Sequence, residues 1–427
     1  MRAEINQVLN NDLCSGCGLC SFLAADNAVK MRIDGDGFNR PQISSTFKDQ
    51  TIIASSQNTT YFSKSCPGLN LDIRPYKSHD YDAIWGQIKK VLRGYAVDEN
   101  IRRKGSSGGV ISGLAKYCLD QKLVDGVIQI KASTEDPLIN VAVVNCTEEN
   151  IVESAGSRYA PASPAEALKI ISQSNEKKYL FIGKPCDVAA IRQLQACDSD
   201  LKIKIPYLVS FMCAGTPSIK GTEKVLERLA IDKGDVASFR YRGDGWPGLT
   251  KAILRSGESR SMTYNESWGS VLNRYLQTRC KICPDGIGEF ADIVCADGWE
   301  GDENGYPSFD EKDGYSLILV RTGTGEELFS KAESEGVIIT EKYNIKKLNK
   351  IQPFQFYRRS TILPRLWAMR FMMLKPPVYK GFSFGVGVRE IGLYKSFKAF
   401  IGMLMRRGSI KKRSFKTEID DSNNKAN

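Results

Sequence analysis

The sequence predicts a mixed α/β (α+β) fold in three parts: a small amino-terminal ferredoxin-like unit, an α/β body and a basic helical tail. Three observations predict it. Cys14, Cys17 and Cys20 form a C-x2-C-x2-C run, with Cys66-Pro67 further on. From Val91 onward, short apolar runs alternate with segments of helical spacing. From Tyr357 onward, 16 Lys/Arg stand against 4 Asp/Glu, so the net charge of +11 belongs to the tail and residues 1–356 are close to neutral.

The totals set the bounds. A chain of 427 residues is long enough for two or three domains, and 26% charged residues is ordinary for a water-soluble globular protein. The longest uncharged stretch, Ile205 to Ile219, contains Pro, Ser, Gly and Thr, so neither a signal peptide nor a spanning helix is expected. The single histidine, His79, lies between Ser78 and Asp80 and reads as a linker residue. One imidazole argues against Rieske centres, His-rich zinc catalysis and Ser-His-Asp hydrolysis. Five of the twelve cysteines fall in a C-x2-C pair or triple, which favours metal ligation in a reducing cytoplasm over disulfides.

Residues 1–75 read as the ferredoxin-like unit. A [4Fe–4S] cube needs thiolates on its iron corners. The Gly-containing loop of Cys14, Cys17 and Cys20 supplies three, and a remote Cys66-Pro67 supplies the fourth. Asn27 to Ile43 reads as a hairpin around a Gly/Asp turn. Ala24 and Ala25 stand where a two-cluster pattern would place another Cys-Pro, so the unit is expected to hold one cluster.

In the body, Val91 to Val97 suits a strand, Gly109 to Lys122 a helix and Gly126 to Ile130 the next strand. Lys104 to Gly109 lies between the first strand and the helix. It reads either as a helix start that holds anionic or polar cofactor groups or as a plain cap. Lys178 to Ile182 suits a buried strand, followed by Gly183-Lys184-Pro185-Cys186 and a helix through Leu194. Ile203 to Met212 suits the next strand, ending at Cys213. Ligands gather outside the carboxyl ends of parallel strands, so Cys186 and Cys213 are expected on one sheet edge. Cys280 and Cys283 supply half a metal site and need two partners, for which Cys186 and Cys213 are the candidates. Zinc fits C-x2-C as well as iron does. Cys118, Cys146, Cys197 and Cys295 carry no spacing and read as buried apolar fillers. Thr322 to Gly325 and Gly381 to Gly392 are glycine-rich and read as turns.

The tail has two apolar-basic stretches, Ile362 to Leu374 and Lys398 to Arg407, then Lys411-Lys412-Arg413. Its basic residues sit among Met, Leu and Phe, which suits an anionic membrane surface, the protein's own core or an acidic partner better than nucleic acid. The expected location is cytoplasmic, with peripheral contact at the inner membrane face. The last ten or so residues read as disordered.

Several segments together resemble the coenzyme F-420 hydrogenase/dehydrogenase beta-subunit family, related to the 7-hydroxymethyl chlorophyll a reductases. They are the two parts of the Cys14/Cys17/Cys20–Cys66-Pro67-Gly68 pattern, Gly94-Tyr95-Ala96 to Ile101-Arg102, Ser106 to Val110, Leu123 to Val127 and Gly156-Ser157-Arg158-Tyr159. Gly183 to Cys186, Phe211 to Gly215, Arg279 to Asp285, Ala291-Asp292-Ile293 and Asp297-Gly298-Trp299 complete the set, which spans roughly residues 10–320. The resemblance implies FAD and two [4Fe–4S] clusters, the second on Cys186, Cys213, Cys280 and Cys283. It divides the body into an N-terminal-type region, 85–165, and a C-terminal-type region, 166–355, followed by the tail, 356–427. Ser106, Ser107, Gly108, Gly109 and the Arg158-Tyr159 segment would lie against the flavin. Arg158 and Arg102 are candidates to neutralise its pyrophosphate or reduced ring.

The implied activity is an iron–sulfur flavoprotein oxidoreductase. It would move electrons between a ferredoxin-type donor or redox partner subunit and an organic substrate, with coenzyme F-420 itself a candidate. Lys184, Asp285 and Asp292 are candidate proton donors, each reading more readily as a surface salt-bridge residue. Two alternatives stand beside this: an electron-transfer subunit without its own substrate, and a non-enzymatic zinc or iron–sulfur protein. Two features depart from the family pattern: Cys295, where a small residue is expected, and the basic tail.

Overall fold

The computed structural model describes residues 1–47, 52–174, 176–298 and 313–406. Trp299, Lys411-Lys412-Arg413 and the closing residues expected to be disordered lie outside them.

An eight-stranded mixed sheet organises the body. Its spatial order is Ile338–Lys342, Lys90–Ala96, Ser316–Val320, Ile293–Asp297, Tyr207–Phe211, Tyr179–Gly183, Gly126–Ala132 and Asn140–Asn145. The four strands from Ile293–Asp297 to Gly126–Ala132 run parallel, and antiparallel strands flank them on both sides. Side chains alternate across the parallel strands as a period of two requires. Leu180, Ile182, Val209 and Ile293 face one core, and Phe181, Leu208 and Val294 face the other.

The first core is closed by the helices Val110–Asp120 and Gly323–Ser334, with Leu114, Cys118, Leu328 and Phe329 buried. The second runs on from the sheet into the helix Pro185–Gln195, the amino-terminal unit (Ile5, Leu19, Leu71) and the tail (Ile362, Met369, Met403). The amino-terminal unit and the tail therefore share one buried cluster with the body. The expected hairpin forms from Val29–Ile33 and Asn39–Ile43. A separate three-stranded antiparallel sheet is built from Val236–Arg240, Thr250–Leu254 and Ser259–Met262.

Several expectations are corrected. Lys90–Ala96 forms the expected strand, yet it pairs antiparallel with Ser316–Val320, far across the sheet from Gly126–Ala132. Ile203 is helical, because the Asp198 side chain accepts from Leu201 N and starts the helix Ser199–Lys204; the strand begins at Tyr207. Thr322 to Gly325 is a strand-to-helix connection rather than a turn. Thr322 caps the helix, and a Cβ on Gly325 would strike the Asp292 carbonyl. Gly381 to Gly392 is mostly helical, within Phe384–Leu404, which is interrupted at Gly392 (φ 78°, ψ 166°). Cys146 is exposed and Cys197 half-buried, so only Cys118 and Cys295 are buried apolar fillers.

The tail is helical, as Pro353–Ser360, Ile362–Phe371 and Phe384–Leu404. Its short strand Val378–Lys380 pairs in parallel with Asn70–Asp72, just after Cys66.

Candidate functional site: two cysteine quartets

The loop before the helix Leu19–Leu23 turns through Gly16 (φ 77°) and Gly18 (φ 89°), conformations a side chain resists. It wraps Cys14, Cys17 and Cys20 around a cavity. The helix Ser56–Ser65, capped by the Ser55 hydroxyl, ends at Cys66 on the same cavity. Val8, Met31 and Phe62 close it with apolar surface. Burial pushes the Cys17 thiol up to about 12 and raises Cys14, Cys20 and Cys66 as well, and the four repel one another as thiolates. Gly16 N donates to Cys14 Sγ at 3.4 Å, a bond that favours charge on sulfur.

The second quartet gathers at the carboxyl edge of the sheet. Tyr179–Gly183 and Tyr207–Phe211 are parallel neighbours, so Cys186 and Cys213 leave the same edge, as expected from the sequence. Cys186 is the second residue of Pro185–Gln195, where helix N–H groups favour a thiolate. Cys280 and Cys283 are brought up from below. The Cys213 thiol is pushed to about 12 by burial, then by Cys280 and Cys283, and Cys186 is raised by burial and by Asp187, with Cys213 and Cys283 adding. Thr216 N donates to Cys280 Sγ at 3.3 Å. Among the described residues, no three or more His, Cys, Asp or Glu side chains gather closely enough for a single metal ion.

Arg279 lies between the quartets, 2% exposed. Its Nη2 donates to Pro67 O at 2.9 Å, beside Cys66. Burial opposes its charge, while Tyr379 and then Cys283, Cys186 and Cys280 favour it. Its Nε and Nη1 are buried without a hydrogen-bond partner among the described residues. Such donors cost free energy unless an acceptor meets them. An anionic sulfur-rich group between the thiolates is an acceptor of that kind, so the donor set fits a cluster.

The tail is the part sequence reasoning missed. Arg358 donates to Cys213 O (2.8 Å) and Ala214 O (2.6 Å), and Gln355 donates to Cys213 O (3.1 Å). Arg359 donates to Pro284 O and pairs with Glu289, both at 2.6 Å; Arg365 donates to Lys281 O at 2.6 Å, and Tyr379 Oη to Ile282 O at 2.9 Å. The tail thus clamps the backbone around Cys213 and Cys280–Cys283. The only hint in the sequence is Tyr357-Arg358-Arg359 ahead of an apolar run, which looks like any basic surface helix.

The proton-donor candidates are tied into the fold. Lys184 Nζ lies 2.7 Å from Asp187 Oδ2, next to the second quartet. Asp285 is raised by burial and by Glu289 and accepts from Glu289 N at 2.6 Å, within a network that includes Arg359 and Arg321. Asp292 accepts from Arg192 Nη2 (2.7 Å), Leu208 N (2.8 Å) and Thr322 Oγ1 (2.6 Å), at the sheet edge opposite Cys213. None of the three is a surface salt-bridge residue.

The flavin candidates come together in part. Ser106 Oγ accepts from Ser157 N at 2.5 Å, so the Ser-Gly-Gly turn and the Gly156–Tyr159 segment meet. Ser107 Oγ donates to Tyr315 O at 2.6 Å, and Gly108 packs against the backbone of Gly94 and Ser316. Gly109 (φ 72°) opens the helix Val110–Asp120. Arg102 lies over the Tyr95 ring and donates to Gly314 O. Arg158 spends its donors on Asn140 Oδ1, Phe239 O and Pro137 O, and Tyr159 packs on Trp268. Three of the five N–H donors of Arg158 are thus used, and its guanidinium fastens the Val236–Arg240 strand to the body.

Two family models match the chain. One, for the amino-terminal part of the coenzyme F420 hydrogenase/dehydrogenase beta subunit, matches residues 91–169; the other, for the carboxy-terminal part of the same protein, matches residues 176–346. Together they take in more than half of the chain, including the second quartet. The chain is 28% identical over 260 residues to the coenzyme F420 hydrogenase subunit beta of Methanococcus voltae, covering 60% of this chain and 85% of that protein. It is also 28% identical over 272 residues to the F420-dependent formate dehydrogenase subunit beta of Methanocaldococcus jannaschii, covering 60% and 69%. Among solved structures, a chain of the F420-reducing [NiFe] hydrogenase complex from Methanosarcina barkeri shares the fold. Its TM-score is 0.55 at 22% identity, over 70% of this chain and 98% of that one.

Proposed function

The chain belongs to the coenzyme F420 hydrogenase/dehydrogenase beta subunit family, and from that premise we propose that it is a redox protein carrying two [4Fe–4S] clusters. Cys14, Cys17, Cys20 and Cys66 would hold one; Cys186, Cys213, Cys280 and Cys283 would hold the other. The observation that carries this reading is the pair of cysteine quartets, one buried and one half-buried, with the unpartnered donors of Arg279 between them. A bound cluster supplies one-electron transfer. A cube carries its thiolates on separate iron corners, so they stand farther apart than the ligands of one tetrahedral ion.

The chain's own residues exclude water and fix the sites. Val8, Met31 and Phe62 dry the first. The arginines of the tail hold the backbone around the second, and backbone N–H groups donate to Cys14 and Cys280 to favour charge on sulfur. The relatives named for F420 chemistry support an organic electron acceptor or donor of the deazaflavin class, reached from an external one-electron partner. FAD belongs to this proposal through the family alone. It would lie by Ser106–Gly109, Arg102 and the Arg158-Tyr159 segment, and no step is assigned to it.

A narrower reading, an electron-transfer subunit whose partner performs the substrate chemistry, is favoured by one observation. Lys184, Asp285 and Asp292 are all engaged in internal pairs. Anaerobic purification with iron, sulfide and flavin analysis tests the main proposal. About eight irons per chain are expected for two cubes. Colourless protein, or stoichiometric zinc, would end it. An isolated chain that reduces a small acceptor would rule out the narrower reading.

A further inference from the structure

The tail's outer surface carries a feature that the clamp does not use. Leu393, Phe397, Ile401 and Met405 recur every fourth residue along the last helical segment, while Ser396, Ala399 and Met403 face inward. All four are exposed, Leu393 by 83% and Met405 by 82%. Trp367 and Phe371 are exposed on the adjoining helix Ile362–Phe371, and the Phe371 ring meets Phe400 at 6.2 Å, so the two helices share one apolar face. A surface of this extent on a folded chain marks an interaction site.

Charge decides what it fits. Arg370, Lys395, Lys398 and Arg406 are exposed around the face, and none forms an ion pair among the described residues. Between residues 353 and 406 the only acidic residue is Glu390. The sequence beyond adds Arg407, Lys411, Lys412, Arg413 and Lys416 before the next acid, Glu418. Protein interfaces deplete lysine around their apolar centres. Large apolar side chains flanked by Lys and Arg, on a helix lying along a surface, match the headgroup zone of an anionic bilayer. Among the described residues, no helix is long and apolar enough to cross a membrane.

We propose that this face, built from Ile362–Phe371 and the segment after Gly392, docks the protein on an anionic phospholipid surface. The apolar stripe enters the headgroup boundary, and the four cations meet lipid phosphates. Ile362–Phe371 also carries Arg365, which holds the Lys281 carbonyl between Cys280 and Cys283, so docking fixes how that quartet is presented relative to the bilayer.

The test uses the full anaerobically purified chain and sedimentation with vesicles of phosphatidylcholine alone or mixed with phosphatidylglycerol. Binding is expected to the mixed vesicles, weakened by salt and at least about tenfold weaker for Phe397→Ser/Ile401→Ser and for Lys395→Glu/Lys398→Glu. Both pairs are exposed, so visible absorption and circular dichroism should stay as in the parent. No binding to mixed vesicles, equal binding to neutral ones, or an unchanged Phe397→Ser/Ile401→Ser variant would overturn the proposal. Self-association that this variant abolishes would assign the face to a second copy and overturn it too.

Discussion

Arg279 and Pro67 are joined by a 2.9 Å hydrogen bond between the residue before Cys280 and the residue after Cys66. One side chain thus spans the gap between segments that are 212 positions apart and belong to different quartets. Its charge lies within reach of Cys186, Cys280 and Cys283.

Arg279→Gln removes a positive charge that favours the reduced, more negative state of any bound cluster. The lower-lying potential is expected to fall by on the order of 60 mV, the one-electron equivalent of a tenfold change in equilibrium. A redox titration followed by electron paramagnetic resonance reads it; unchanged potentials with intact iron would mean that the guanidinium does not sense the clusters.

Cys17→Ser and Cys283→Ser should each remove about half of the iron, since each breaks one quartet. The second is expected to lower the melting temperature more, because its quartet ties strand ends, the Cys280 segment and the tail together. Cys295→Ala, buried on the other face of the sheet, should leave the iron content unchanged.

Arg359→Ala leaves Glu289 buried without its 2.6 Å partner. Breaking a buried pair on one side costs about 3–5 kcal/mol. Denaturant unfolding of the iron-loaded protein should show that loss, with the second quartet's iron released first. A change below about 1 kcal/mol would mean that solvent reaches Glu289.

Asp292→Asn should cost about 1.5–3 kcal/mol, the range for a hydrogen bond to a charged group, and leave electron transfer per folded molecule unchanged. A large fall in turnover with normal stability would restore Asp292 as a candidate proton donor.

The quartets are legible because cysteine spacing is chemistry written locally, and because strands ending in Cys186 and Cys213 can be read from apolar runs. Arg359 is not legible. Its partner Glu289 is remote in sequence, and a buried arginine at helical spacing has the same pattern as one in water. Thr322-Gly323 reads as a turn because the strand Ser316–Val320, apolar from Leu317 onward, carries no alternation to announce it. Ile203 reads as strand because apolar residues at 203 and 205 look like alternation, whereas Asp198 as a helix cap decides the matter. The resemblance draws Arg158 to a flavin, but only three-dimensional packing shows that three of its donors also hold Asn140, Phe239 and Pro137.

The strand Val378–Lys380 pairs with Asn70–Asp72, with Val378 N bonded to Leu69 O at 2.8 Å and Ile73 N to Lys380 O at 3.1 Å. About 300 residues separate these partners, so a growing chain has long made Asn70–Asp72 before the strand that pairs with it leaves the ribosome. The amino-terminal unit therefore goes without this pairing through most of synthesis, and the carboxy-terminal segment completes it afterwards. The order of manufacture becomes part of how the finished molecule is put together.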